Sequence, residues 1–172
     1  MWSKLKTLGS WIFYDCHITG LLVFINNDIF NCCLPFVSGT DPLEVEFYAY
    51  LGTELSHVPV GTTLKFDGVG NNQGNGYDNS TGVFTCPSSG LYLFMVYIMP
   101  HEGSEVSVSL MYNGQGFAHA AAEPSFNGQD ITGATARAFR LNKGDRVWVE
   151  VINQDSSFWH SYTSFSGLLI HR

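Results

Sequence analysis

The sequence predicts an all-β fold, a two-sheet sandwich or jelly roll. Three observations carry this. Apolar residues alternate with polar ones through eight or more short runs. Turn signals punctuate those runs at regular intervals. The segment Tyr77–Phe94, YDNSTGVFTCPSSGLYLF, joins a polar turn to a long apolar run through Cys86-Pro87 and Gly90. The last pattern reads as a strand, a tight corner and a buried central strand. No helix-length amphipathic stretch appears after residue 40.

The elements follow in order. Val45, Phe47, Ala49 and Leu51 alternate with Glu44, Glu46, Tyr48 and Tyr50, which gives a strand with one buried face. Pro59 breaks the chain before a second short strand, Thr62–Phe66. Asn71–Asn79 is rich in Gly and Asn and reads as loop. Val83–Thr85 is a brief strand ending at Cys86-Pro87. Leu91–Met99 is continuously apolar or aromatic, as a central strand covered on both faces would be. One face meets the core, and the other calls for a second cover. Gly90 permits the corner before this strand or a close backbone approach, and Gly167 makes room for an aromatic on a neighbouring strand.

Val106, Val108 and Leu110 alternate with Ser107, Ser109 and Met111. Asn113-Gly114 then favours a type I′ hairpin, because both residues tolerate positive φ. Phe117–Ala122 is the returning strand. Ile131–Leu141 follows with Ala134, Ala136 and Ala138 in phase. Asn142–Asp145 is a second hairpin turn, and Val147, Val149 and Val151 alternate beyond it. Residues 153–162 read as a polar loop holding Phe158 and Trp159. Thr163–His171 closes the fold.

Residues 1–40 differ and form their own segment, an atypical extension or targeting stretch, with the domain proper at 41–172. Lys4 and Lys6 precede a mostly apolar stretch from Leu8 to Ile25, the order of a signal peptide. A loosely packed extension and a membrane anchor are the other readings. The run Leu21–Ile25 is too short to span a bilayer, so no membrane span is expected.

Composition narrows the function. The 172 residues are 45% hydrophobic and 15% aromatic but only 13% charged, with net charge −7. So little charge fits a surface covered by copies of the chain or by a partner; a neutral Asn/Ser/Gly surface is the alternative. With 8 Lys and Arg there is no basic stripe, which argues against nucleic acid as a partner. The four cysteines follow neither a zinc pattern nor a disulfide framework, and Cys86 reads as a buried free thiol. Catalysis has no constellation to use. Ser88 and Ser89 are not in a nucleophile elbow. His101, His119 and His160 lack Asp or Ser companions at triad spacing, and His17, His57 and His171 stand alone.

From Glu44 onward the chain resembles the globular head domain of complement component C1q. Gly82–Phe94, GVFTCPSSGLYLF, is the centre of the match. Phe66, Asn71, Gly74 and Tyr77 flank it upstream. Downstream stand Leu110, Asn113-Gly114, Leu141, Lys143-Gly144-Asp145, Val147-Trp148 and Ser164–Leu169. The resemblance implies a jelly roll of about ten strands, similar to tumour necrosis factor, assembled as a homotrimer. It implies a secreted binding head and no enzyme, with no cofactor required. Collagen-like and heptad repeats are missing upstream, which points to a stalk-less member. The nearest functional group is then a pattern-recognition domain of innate immunity that binds microbial glycan or another surface ligand. A cytokine-like or synapse-organiser-like receptor ligand and a structural matrix protein are the rivals.

Candidate sites divide into three. End loops of sandwiches usually meet ligands. There Phe126, Phe158, Trp159 and Tyr162 are aromatic candidates, with Asn153, Asp155 and His160 beside them for a carbohydrate or protein surface. The alternative is that Phe158 and Trp159 tuck over the core. The resemblance allows calcium, for which Asp67, Asp78 and Asp130 are the candidate ligands and ordinary solvated loop acids the competing reading. Asn79-Ser80-Thr81 is a sequon, so Asn79 is a candidate glycosylation site.

Overall fold

A computed structural model describes residues 3–8, 11–16, 20–25, 28–30, 45–101, 103–123, 131–153 and 155–172. The chain forms two compact units, Met1–Pro42 and Leu43–Arg172. The first holds an antiparallel sheet in the order β1 (Ser3–Leu8), β2 (Trp11–Cys16), β3 (Gly20–Ile25) and β4 (Asp28–Phe30). No secondary structure was expected there. The aromatic and β-branched types along Trp11–Phe13 and Leu22–Ile25 suit such strands.

The second unit is the sandwich, and its described residues contain no helix. Its strands are β5 (Glu46–Tyr50), β6 (Leu55–Val58), β7 (Gly68–Gln73), β8 (Tyr77–Asp78), β9 (Val83–Thr85), β10 (Gly90–Ile98), β11 (Val106–Tyr112), β12 (Gln115–Ala122), β13 (Gly133–Leu141), β14 (Arg146–Val151), β15 (Ser156–Phe158) and β16 (Ser164–His171). One five-stranded sheet runs β13-β10-β16-β5-β7 and the other β12-β11-β14-β9-β8, with β15-β6 as a two-stranded flap. Apart from the β8-β9 and β11-β12 hairpins, consecutive strands from β7 to β14 cross between the two sheets, as in a jelly roll.

Period-two alternation builds the core from both sheets. Phe47, Ala49, Tyr92, Phe94, Val96, Ile98 and Phe165 face Phe84, Val106, Val108, Leu110, Val147, Val149 and Val151, all almost fully buried. The aromatics interlock: Phe47 stacks on Tyr77 at 4.9 Å and meets Phe165 edge-on at 4.9 Å. Burial raises the phenol pKa of both Tyr77 and Tyr92 far above its ordinary value. Cys86 is a free, buried thiol, and burial raises its pKa too, as befits an inert packing residue.

Both expected glycine roles are present. A Cβ at Gly167 would stand 2.6 Å from Phe47 Cε1 and 2.7 Å from the Phe94 ring. One at Gly90 would meet the His171 carbonyl oxygen at 2.6 Å. Asn113 (φ 47°) and Gly114 (φ 89°) form the expected left-handed turn pair.

Three local expectations are corrected. Asn71–Asn79 is not all loop, because β7 and β8 run through it around a turn at Gly74-Asn75. Backbone pairing to β5 holds β7 despite its composition, with the Tyr50 ring lying against Gly68 and the Tyr48 ring against Gly70. Thr62–Phe66 is no regular strand. It meets β14 through one bridge, Thr63 to Glu150, although Leu64 and Phe66 alternate inward as expected. Within 153–162, Ser156–Phe158 forms β15 against β6.

Candidate functional site

Loops following β5, β10 and β14 meet at one end of the sandwich, tied by backbone bonds. Leu51 N–H donates to the Thr163 carbonyl (3.0 Å), Ser161 N–H to Leu51 (2.8 Å), His101 N–H to Ser157 (2.9 Å) and Trp159 N–H to Met99 (3.0 Å). Buried hydroxyls add to the frame: Met99 N–H donates to Thr163 Oγ1 at 3.1 Å and His57 N–H to Ser157 Oγ at 3.1 Å. His57 (φ 53°), Asp155 (φ 58°) and Ser161 (φ 61°) are left-handed without being glycine. Such backbone costs energy and concentrates where a loop is held for a purpose.

This frame gathers side chains distant in sequence. The His101 ring stacks on Trp159 with centroids 4.6 Å apart and planes 20° apart. Glu54 lies between two imidazoles, with Oε1 3.4 Å from His160 Nδ1 and Oε2 3.9 Å from His101 Nε2. His57 Nδ1 and Asp155 Oδ1 stand 2.5 Å apart on the flap. Tyr162 is 65% exposed beside this group in sequence, and Trp159 and His160 are half-buried. The surface thus offers rings flanked by carboxylates and imidazoles, suited to a polar ligand with an apolar face.

The sequence candidates fare unequally. Trp159 and His160 are brought together with Glu54 and His101. Asp155 pairs with His57. Phe158 is 0% exposed in the core, so the expectation of a ring presented to ligand is corrected there. The packing between the flap and the sheets claims it. Asn153 is committed to structure: its Oδ1 accepts from Ser107 N–H (2.7 Å) and Ser156 Oγ (2.6 Å), and its Nδ2 donates to the Glu105 carbonyl (2.8 Å). Phe126 and Asp130 lie outside the described residues. Glu54, His57 and His101 were missed because no local motif links them; only the folded loops do.

Of the acids proposed for calcium, Asp67 and Asp78 accept hydrogen bonds from nearby groups of the chain. Asp67 Oδ1 accepts from Gly52 N–H at 2.7 Å. Asp78 accepts from Ser80 N–H (2.9 Å), Ser80 Oγ (2.7 Å) and Thr81 Oγ1 (3.0 Å), and the Ser80 hydroxyl foremost holds its carboxyl below the usual range. Among the described residues, no three His, Cys, Asp or Glu side chains are grouped so that they could hold a metal ion. Asn79 is exposed in the β8–β9 turn, its Nδ2 donating to the Asp67 carbonyl at 3.3 Å.

The side of the first sheet turned away from the core is different in kind. Tyr48 and Tyr50 on β5, Leu91, Leu93, Met95 and Tyr97 on β10, Ala134, Ala136 and Ala138 on β13 and Leu168 on β16 share it by register. On these four strands Glu46 and Arg140 are the charged residues in phase with that face.

Residues 46–170 match the family model of the C1q domain. The chain belongs to the C1q domain family. Human complement C1q tumor necrosis factor-related protein 3 is 35% identical over 130 residues, 74% of this chain and 52% of that protein. The chain therefore spans about half the length of the curated relatives it matches. Solved structures agree on the fold. The globular domain of zebrafish complement 1qA superposes with a TM-score of 0.61 at 19% identity, covering 74% of this chain and 98% of that one. Eiger TNF from S. frugiperda gives 0.59 at 14% identity, covering 74% and 92%. The C1q-type jelly roll expected from the sequence is thus the fold of this chain, with its two five-stranded sheets.

Proposed function

We propose that this C1q domain is a secreted recognition head that works as a homotrimer, binding a glycan or another surface ligand of microbes through its end loops. The outward face of the first sheet carries this reading. Tyr97 and Tyr48 are 45% and 43% exposed there, beside Leu91, Leu93, Met95 and three alanines. An apolar patch of this kind favours burial against another surface. A second copy related by symmetry offers the same chemistry. Three joined heads would turn a weak loop contact into a firm one through effective concentration.

Sedimentation of the secreted protein tests the assembly, and a trimer at micromolar concentration is expected. A glycan array probed with and without calcium tests the ligand. Binding there that is lost on Trp159→Ala supports the recognition head. Failure on the array together with capture of a cell-surface receptor favours the cytokine-like alternative, which the 35% identity to C1q tumor necrosis factor-related protein 3 supports.

A further inference from the structure

We propose that Asn79 carries an N-linked glycan. Asn79-Ser80-Thr81 is the one Asn-X-Ser/Thr triplet in the chain, and its middle residue is not proline. The modification belongs to the export route and so rests on the secreted reading above. Asp78, Asn79, Ser80 and Thr81 are all exposed, at the turn from β8 to β9. That turn closes without the Asn79 side chain. Gly82 N–H donates to the Asp78 carbonyl at 2.8 Å and Thr81 N–H to the same oxygen at 3.3 Å. The Asp78 carboxylate takes the hydroxyls of Ser80 and Thr81.

Other turn asparagines are spent on the fold. Asn72 Nδ2 donates to the Tyr77 carbonyl (2.8 Å) and its Oδ1 accepts from Tyr77 N–H (3.1 Å). Asn113 is tied at both ends of its amide to Asp145 and Arg146. Asn79 makes one long bond, from Nδ2 to the Asp67 carbonyl at 3.3 Å, which uses one of its two amide protons. Glycosylation takes the other. Asn79 Nδ2 bonds to the anomeric carbon of a polyprenyl-pyrophosphate-linked oligosaccharide, the sugar–phosphate C–O bond breaks, and the pyrophosphate leaves with its electron pair. The amide gives up one proton to base and keeps one N–H for the Asp67 carbonyl. The turn belongs to the second sheet, so a glycan there leaves the outward face of the first sheet free for other copies. Through Asp67, whose Oδ1 accepts from Gly52 N–H at 2.7 Å, the same turn adjoins the end loops, and the glycan stands at the rim of the recognition surface.

The test is expression of the full chain in cultured insect cells, with medium and cell lysate analysed separately by peptide-N-glycosidase digestion and mass spectrometry. A gel shift lost on digestion is expected, with an aspartate left at position 79 of the digested peptide. The shift disappears in Asn79→Gln and Thr81→Ala and is kept in Thr81→Ser, which preserves the hydroxyl. Melting curves establish that each variant is folded. Glycan on Asn79 supports the proposal wherever the chain is recovered. Chain in the medium with Asn79 unmodified overturns it and leaves the secreted reading standing. Chain held unmodified inside the cell overturns both, and a shift that survives in full in Asn79→Gln also overturns the proposal.

Discussion

Phe158 and Tyr162 sit four positions apart in one polar stretch, yet one is at 0% exposure and the other at 65%. Phe158→Ala is therefore expected to cost about 3–5 kcal/mol of stability. Tyr162→Ala should stay within about 0.5 kcal/mol. Denaturant unfolding of the two variants checks both, and equal costs would mean that the flap is not packed as described. Gly167 is a case the sequence displayed. A methyl there meets the rings of Phe47 and Phe94, which are wedged in the core and cannot retreat. Gly167→Ala should cost about 1–3 kcal/mol by overpacking, measured the same way. The contrast has a physical origin. A glycine between strand residues announces close approach by its lack of a side chain. A phenylalanine in a loop announces nothing about which way it turns.

Hairpin ends are the elements that the sequence displayed best, because turn chemistry is local. Asp145 binds two of them together: it accepts from Tyr112 Oη (3.0 Å), Asn113 Nδ2 (3.0 Å) and Asn142 N–H (2.7 Å). The Asn113 side chain, then the Asn142 amide, hold its carboxyl below the ordinary range. A carboxyl whose folded pKa is lowered stabilises the fold above its unfolded value, about 3.9, and the contribution fades as pH falls through the lowered value. Asp145→Asn should thus melt earlier than the wild type at pH 7 and lose less on acidification below about pH 4. Melting curves across that range check it, and parallel curves would sink the assignment. The strand β7 is the element that was illegible. Its Gly and Asn residues carry no apolar alternation, and it exists because β5 supplies a ladder of backbone partners and two tyrosine rings.

At the scale of the whole molecule the outward face of the first sheet sets the expected assembly. Leu93 points away from the core and pairs across to Ala138 and Leu168 on that same face. Leu93→Glu should leave the fold of the single chain intact while breaking the trimer. Sedimentation beside circular dichroism tests this, and a wild type that is monomeric at micromolar concentration would remove the basis for avidity. Alternation along Leu91–Ile98 already told that two apolar sets lie on opposite faces. Which set is the core and which is left bare depends on the partner sheet.

By itself the sequence determined the all-β class, most strand positions, the hairpin turns and the family. Those are encoded by neighbours in the chain, through period two, turn residues and a motif. Only the tertiary structure decided that Glu54, His101, Trp159 and His160 meet, that Phe158 is buried and that a Gly/Asn tract is a strand. Each of these depends on loops and ladders joined across long sequence separations, where local composition has no say and backbone pairing and packing do.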